Sequence, residues 1–223
     1  MSLPTIISSC MALPAKTPLR RATAGRNAMK LYDFTHKAKN VKKATATRRK
    51  RPATIVVRRA PGSRHRALLR CGPLCFPAAI GRSGISAMKR EGDGATPLAM
   101  MKVTGGLARR RIPILPETPL RLRRIGPNDG WCDAPSDPNY NRPVRLPYAP
   151  SHEKLTRDDG IYDIIIILDW NMRCRAREKG SAVFFHLARP GFLPTAGCVA
   201  IAPSAMRVLL PHLRRGTRLV VLR

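Results

Sequence analysis

Apolar residues along this chain alternate with polar ones more often than they recur at helical spacing. Residues 54–58 (TIVVR) are a β-branched run and are expected to form the first strand. Residues 67–70 and 74–80 flank Cys71-Gly72-Pro73 and read as the arms of a hairpin. Pro77 inside the second arm points to an edge position or a bulge. Residues 100–104 supply a further strand, and residues 161–168 (IYDIIIIL) a strongly apolar, buried one. Residues 181–187 (SAVFFHL) and 219–222 add two more, and a new element starts at Cys198. Helical spacing is found after Pro203, which suits a first helical turn, where Met206, Leu209, Leu210 and Leu213 recur at that period. Pro211 weakens this helix at its third turn, and Gly216 ends it.

Turns are marked by Pro61-Gly62-Ser63, by Gly81 to Gly84 and by Gly92-Asp93-Gly94. Residues 109–124 are basic and punctuated by proline, so an extended loop with short strand pieces is expected there. Residues 129–150 are polar and show little periodicity, yet they hold Trp131, Tyr140 and Tyr148. A loop longer than about 12–15 residues in a compact domain is usually functional or disordered, and the aromatic residues argue for an ordered one. The sum is a mostly-β domain over residues 53–223, with one short C-terminal helix and long loops.

Composition adds an asymmetry. The net charge is +29, so the chain will adhere to polyanions, whether nucleic acid or an anionic cell envelope. In residues 1–51 the one acidic residue is Asp33, against a dense Lys/Arg set. Residues 1–52 are therefore expected to be a basic, disordered extension. No run approaches the roughly 20 apolar residues of a membrane-spanning helix. Residues 1–15 are mildly apolar but lack a basic start and are interrupted by Pro4 and Pro14, which argues against a secretory signal. The arm could mimic a transit peptide; an over-extended reading frame with Met29 as the start is favoured. The six cysteines form no CxxC pair and no zinc set. Cys71 and Cys75 are expected to be two small buried thiols rather than a bridge.

Candidate chemistry lies in residues 180–201, GSAVFFHLARPGFLPTAGCVAI. His186 ends an apolar strand, and Cys198 follows in a Thr-Ala-Gly-Cys turn. An imidazole beside a thiol raises its thiolate fraction and can protonate a leaving amine. Gly197 removes a side chain where a carbonyl must approach and lets backbone N–H groups turn toward an oxyanion. The twelve-residue separation allows a strand end, a loop and a return. From spacing alone a plainer reading stands equal: His186 caps a strand and Cys198 is core. Among the other histidines, His152 is the competitor for the role of base.

The segment His186…Thr195-Ala196-Gly197-Cys198-Val199-Ala200 resembles the active-site motif of the L,D-transpeptidase catalytic domain, or YkuD domain: a histidine, a spacer, then Ser/Thr-x-Gly-Cys. Further pieces agree with the short, single-domain proteobacterial branch of that family. They are Gly81-Arg82-Ser83-Gly84, the run from Lys89 to Pro97, the run from Asp129 to Asp133, and Asn139-Tyr140-Asn141-Arg142-Pro143. The resemblance covers about residues 54–223 and implies a β-sandwich-like catalytic fold.

It also implies a chemistry. Cys198 would attack the stem tetrapeptide of peptidoglycan at the carbonyl of its third residue, a diamino acid, releasing the terminal D-alanine and leaving a thioester. His186 would be base and then acid, and N–H groups near Gly197 and Cys198 the oxyanion hole. Thr195 would orient the loop. An amine of a second stem would resolve the thioester into a crosslink; water would make the enzyme a carboxypeptidase. No metal or organic cofactor is required. Ala200 replaces the family's usual Arg or Asn, so Arg82, Arg142 and Arg145 are the candidates for a substrate carboxylate. Trp131, Tyr140 and Tyr148 could line a groove or form a small core holding the long loop, the latter being slightly favoured. The third member of the catalytic set is unassigned, a backbone carbonyl being one candidate. The resemblance places the protein at the cell envelope. Two alternatives stand beside the transpeptidase: a peptidoglycan hydrolase on the same scaffold, and a non-enzymatic polyanion-binding protein.

Overall fold

The computed structural model describes residues 53–112 and 117–223. The expected basic arm over residues 1–52, with Met29, lies outside the described residues. The strands run in chain order as β1 (Thr54–Arg59), β2 (Arg66–Cys71), β3 (Leu74–Ala79), β4 (Ile85–Ser86), β5 (Thr96–Pro97), β6 (Met100–Arg109) and β7 (Leu122–Ile125). There follow β8 (Asp129–Cys132), β9 (Pro143–Arg145), β10 (His152–Lys154), β11 (Ile164–Leu168), β12 (Phe184–Leu187), β13 (Val199–Ile201), the helix α1 (Pro203–Leu209) and β14 (Arg218–Leu222).

The large sheet has the order β11-β12-β13-β3-β2-β1-β14-β6-β7, and β11 also pairs with β6. That last pairing closes the sheet on itself, so the expected sandwich-like arrangement takes the form of a barrel. Pleating turns alternate residues of each strand inward. Ile55 and Val57 of β1, Ala67, Leu69 and Cys71 of β2, Met101 and Val103 of β6, and Leu219 and Val221 of β14 all join one core. The helix adds Ala205, Met206 and Leu209 to it, with Leu210 and Leu213 just beyond. Pro211 falls where the helix tightens into a 3-10 turn over Leu210–His212, as the sequence suggested. Pro77 is tolerated because β13 pairs only with Ala78 and Ala79, leaving no ladder partner on that side of Pro77.

Strands β11 and β12 are apolar apart from His186 because both of their faces are covered. Ile164, Ile166, Leu168, Phe185 and Leu187 face the barrel core. Ile165 and Phe184 face outward into a second core with Leu107, Trp131, Leu155, Tyr162 and Cys198. What covers them is the polar stretch that sequence patterning left as a loop. With residues 152–154 just beyond it, that stretch builds a three-stranded sheet, β10-β8-β9, with Trp131 paired to Glu153 on one side and to Pro143 on the other. Strands of three or four residues show no readable period. The Asp129 carboxylate pins their base by accepting from Arg123 (2.9 Å), from the Gly126 N–H (2.9 Å) and from Arg145.

One expectation is corrected. Cys71 is buried but Cys75 is exposed. Cys71 faces the core opposite Leu74, whereas Cys75 lies opposite Arg70, so the pleat sends the two thiols to opposite faces. No helix among the described residues is long and apolar enough to cross a membrane.

Candidate active site

Strands β12 and β13 are parallel neighbours, with His186 opposite Ala200. Cys198 lies two residues before Ala200, so it shares the outward face with His186 as its diagonal neighbour. Both side chains line one cavity of about 330 Å³ between the barrel wall and the small sheet.

The turn that delivers Cys198 is closed by its own hydroxyl. Thr195 Oγ1 donates to the Cys198 carbonyl (2.7 Å) and accepts from the Gly197 N–H (3.2 Å). The backbone of Thr195 is strung between Ile80, whose carbonyl accepts its N–H (3.0 Å), and Arg82, whose N–H its own carbonyl accepts (2.9 Å). Gly197 has φ +141°, and a Cβ there would stand 2.9 Å from the Ala95 carbonyl oxygen. Only glycine fits that place. Ala95 is itself held by a framed loop: the Asp93 carboxylate accepts from Lys89 Nζ (2.6 Å), from Arg90 N–H (2.8 Å) and from Ala95 N–H (2.8 Å). Burial works against the Asp93 charge, but these three donors together hold its carboxyl below the usual range. Lys89 is buried and lines the same cavity.

The thiol is buried but for its edge on the cavity. Cys198 Sγ accepts from the Phe184 N–H (3.3 Å) and donates to the Ala182 carbonyl (3.2 Å). Burial pushes its pKa up to about 12, against the modest help of the Phe184 N–H. His186 Nδ1 lies 2.9 Å from the carbonyl oxygen of Leu187. A carbonyl can only accept, so Nδ1 carries the hydrogen and Nε2 keeps the lone pair. Burial lowers the imidazole pKa to about 4, and the charges of Arg189 and Arg157 add to that. Neutral thiol beside neutral imidazole is thus the resting state. With pKa values of about 12 and 4, the thiolate–imidazolium pair is a very minor form.

Several residues that sequence reasoning passed over complete the site. The Tyr162 ring meets the His186 ring edge-on at 5.2 Å, and Arg157 stands 5.3 Å from the Tyr162 centroid. Burial raises the Tyr162 pKa far above the phenol range, and the nearby Cys198 and Glu153 push the same way. Arg157 joins Glu153 (3.2 Å) to Asp159 (2.8 Å). Tyr162 lies in the apolar run read as a strand, and its polar neighbour Asp163 was the local sign that the run was not uniform. Glu153 and Arg157 carry no such sign.

The sequence-derived candidates divide. Cys198, His186, Gly197, Thr195 and Arg82 all line the cavity. Arg142 and Arg145 are exposed and do not line it; Arg145 is committed to Asp129. Trp131 lies beneath the site, 3% exposed, its Nε1 donating to Asn141 (3.0 Å) and its ring edge-on to Phe184 at 5.1 Å. It packs; it does not line a groove. Tyr140 donates to Glu91 and Tyr148 to Asp137 (2.6 Å), which fastens the long loop. His152 is turned to the Pro150 carbonyl (2.8 Å) and stands off the cavity.

The sequence model of the L,D-transpeptidase catalytic domain, YkuD, matches residues 67–221. No curated protein and no solved structure matches the chain.

Proposed function

The chain belongs to the L,D-transpeptidase catalytic domain (YkuD) family, and from that membership we propose that it is a peptidoglycan L,D-transpeptidase using Cys198 and His186. The observation that carries the reading is the His186–Leu187 hydrogen bond. It fixes the tautomer whose Nε2 can take a proton, on the strand face that also carries the thiol. The Leu187 carbonyl thereby fills the role of third member of the catalytic set.

In the first half-reaction the Cys198 proton passes to His186 Nε2 as sulfur attacks the carbonyl of the stem's third residue. Deprotonation ahead of attack is disfavoured by the buried thiol's high pKa, so the two events are coupled. The Gly197 N–H, held only at 3.2 Å by Thr195, and the neighbouring Cys198 N–H are the donors proposed for the oxyanion. His186 then returns its proton to the departing D-alanine amine as the C–N bond breaks and the thioester remains. In the second half-reaction an amine of another stem attacks the thioester, gives a proton to His186, and sulfur leaves to recover it. Arg82 is the proposed carboxylate-binding residue; its guanidinium reaches the Gly92 carbonyl at 3.3 Å and has no carboxylate partner among the described residues.

The catalytic unit in this proposal spans residues 53–223, with residues 1–52 as a basic extension, and its place of work is the cell envelope. Purified tetrapeptide muropeptides test it. The wild type is expected to release D-alanine and form dimers, and Cys198→Ala neither; equal activity in that variant overturns the reading. Monomeric tripeptides alone would make the protein a hydrolase on the same scaffold.

A further inference from the structure

The cavity wall opposite the thiol carries an acceptor that the described residues leave unused. Glu153 in β10 is paired with Trp131 in β8, and Asp133 follows two residues after Trp131. Pleating puts all three on one face of the small sheet. That is the face turned to the barrel, since the Trp131 ring packs on Phe184, two residues before His186. Glu153 is occupied by Arg157 and by the Tyr162 hydroxyl. Glu91, also on the cavity, accepts from Tyr140. Asp133 differs: its Oδ1 is shut off from solvent and has no hydrogen-bond partner among the described residues, although the residue lines the cavity. Ser181 lines it too, is 9% exposed, and leaves its Oγ without a hydrogen bond of normal geometry, although it stands near the Tyr140 hydroxyl.

Buried acceptors without partners are rare in native proteins and call for an explanation. The cations on the same cavity do not supply one. Lys89 is bound to Asp93 and the Arg90 carbonyl, Arg157 to Glu153 and Asp159, and Arg189 to Asp159 at 3.4 Å. Arg82 reaches the Gly92 carbonyl. Among the described residues no donor of normal geometry meets either oxygen, and a donor is what both lack.

We propose that the side chains of Asp133 and Ser181, whose oxygens are closed to solvent as they stand, turn toward the cavity that both residues line and form a subsite for a primary ammonium group of the substrate. An ammonium presents three N–H donors, enough for a carboxylate oxygen and a hydroxyl together. An anionic group is repelled by Asp133 and Glu153. Under the peptidoglycan reading, on which this rests, the group is the side-chain amine of a diamino acid. It belongs either to the stem that acylates Cys198 or to the stem that resolves the thioester.

The test uses the full chain. Cys198→Ala, which cannot turn over, is titrated calorimetrically with a tetrapeptide stem bearing a free side-chain amine and with the same peptide N-acetylated there. A preference of roughly 10- to 100-fold for the free amine is expected, shrinking to about twofold or less when Asp133→Asn is added and weakening with Ser181→Ala. A preference that survives Asp133→Asn, or none in the Cys198→Ala parent, overturns the subsite. Because Asp133 Oδ1 has no partner among the described residues, Asp133→Asn is expected to leave the melting temperature level or raise it; a large fall makes Asp133 structural and also overturns the proposal. In otherwise wild-type enzyme, Asp133→Asn assigns the amine. Slower thioester formation, followed by intact mass, places it on the donor. Normal thioester formation with fewer dimers places it on the acceptor, and no change in either step counts against the subsite. If the wild type forms no thioester at all, the transpeptidase reading fails, while the calorimetric comparison still decides the subsite.

Discussion

The hydroxyl of Thr195 lies 2.7 Å from the carbonyl oxygen of Cys198, donating to it across the turn that presents the thiol. The Thr195 hydroxyl oxygen in turn accepts from the Gly197 N–H, so one side chain holds both ends of the turn in a buried place. Thr195→Val keeps the shape and removes both bonds, leaving a buried N–H and a buried carbonyl short of a partner. A loss of about 1–3 kcal/mol is expected, with a clear fall in kcat. Thr195→Ser retains both bonds and should stay close to wild type. Chemical denaturation and steady-state rates for the two variants check this.

Gly197→Ala should be worse. A Cβ at this position would stand 2.9 Å from the Ala95 carbonyl oxygen, and the φ of +141° disfavours any L side chain. The loop that carries Ala95 is braced by the Asp93 hydrogen bonds and cannot yield cheaply. We expect destabilisation by several kcal/mol, on the order of other strained-backbone substitutions, and no measurable turnover. Thermal melting separates the variant from one that is merely inactive.

The dependence of kcat/KM on pH should be flat through neutrality. The proposed active form pairs a neutral thiol, with a pKa of about 12, with a neutral imidazole, with a pKa of about 4. Below about pH 4 the imidazole is protonated and cannot accept, so the rate should fall tenfold per pH unit. An acid limb centred between pH 6 and 7 would mean that His186 titrates like a free imidazole and would contradict the arrangement.

Stability should respond to the same burial. In the unfolded chain His186 takes up a proton near its ordinary value of 6.5, whereas in the folded chain it resists protonation until about 4. The unfolded state therefore binds more protons between these values, and stability falls as pH drops through that window. Above 6.5 the contribution is complete; by pH 4 about 3 kcal/mol is lost. Denaturant midpoints at pH 7.5 and 4.5 should differ less in His186→Gln than in the wild type.

How much of this was legible along the chain depends on range. β1, the β2–β3 hairpin, β12 and β14 could be read because pleating and turn chemistry are local, and each strand buries one set of alternate residues. α1 was legible from Pro203 and the apolar spacing behind it, and the bent Cys198 turn from Gly197. The small sheet β10-β8-β9 was not, because its strands are too short to show a period and its order comes from the Asp129 carboxylate gathering Arg123, Gly126 and Arg145. For the same reason Arg145 looked available to substrate when it is committed elsewhere, while Trp131, weighed between a groove and a slightly favoured small core, packs under Phe184.

Closure of the barrel through β11 and β6 also escaped the pattern of the chain. It brings Ile165 opposite Leu107 and Ile166 opposite Gly106, where a Cβ would strike Leu122 at 2.3 Å. Residue types and spacing put Cys198 and His186 forward on equal terms with a purely structural reading, and the likeness to the family's motif decided between them, since a nucleophile, a base and a glycine turn are chemical requirements written in single positions. Their protonation states, the Leu187 carbonyl that sets the tautomer, and the unpaired oxygen of Asp133 depend on which distant segments exclude water from them. Those segments meet only once the two cores form, because burial and hydrogen-bond partners are properties of packed surfaces and not of neighbouring letters.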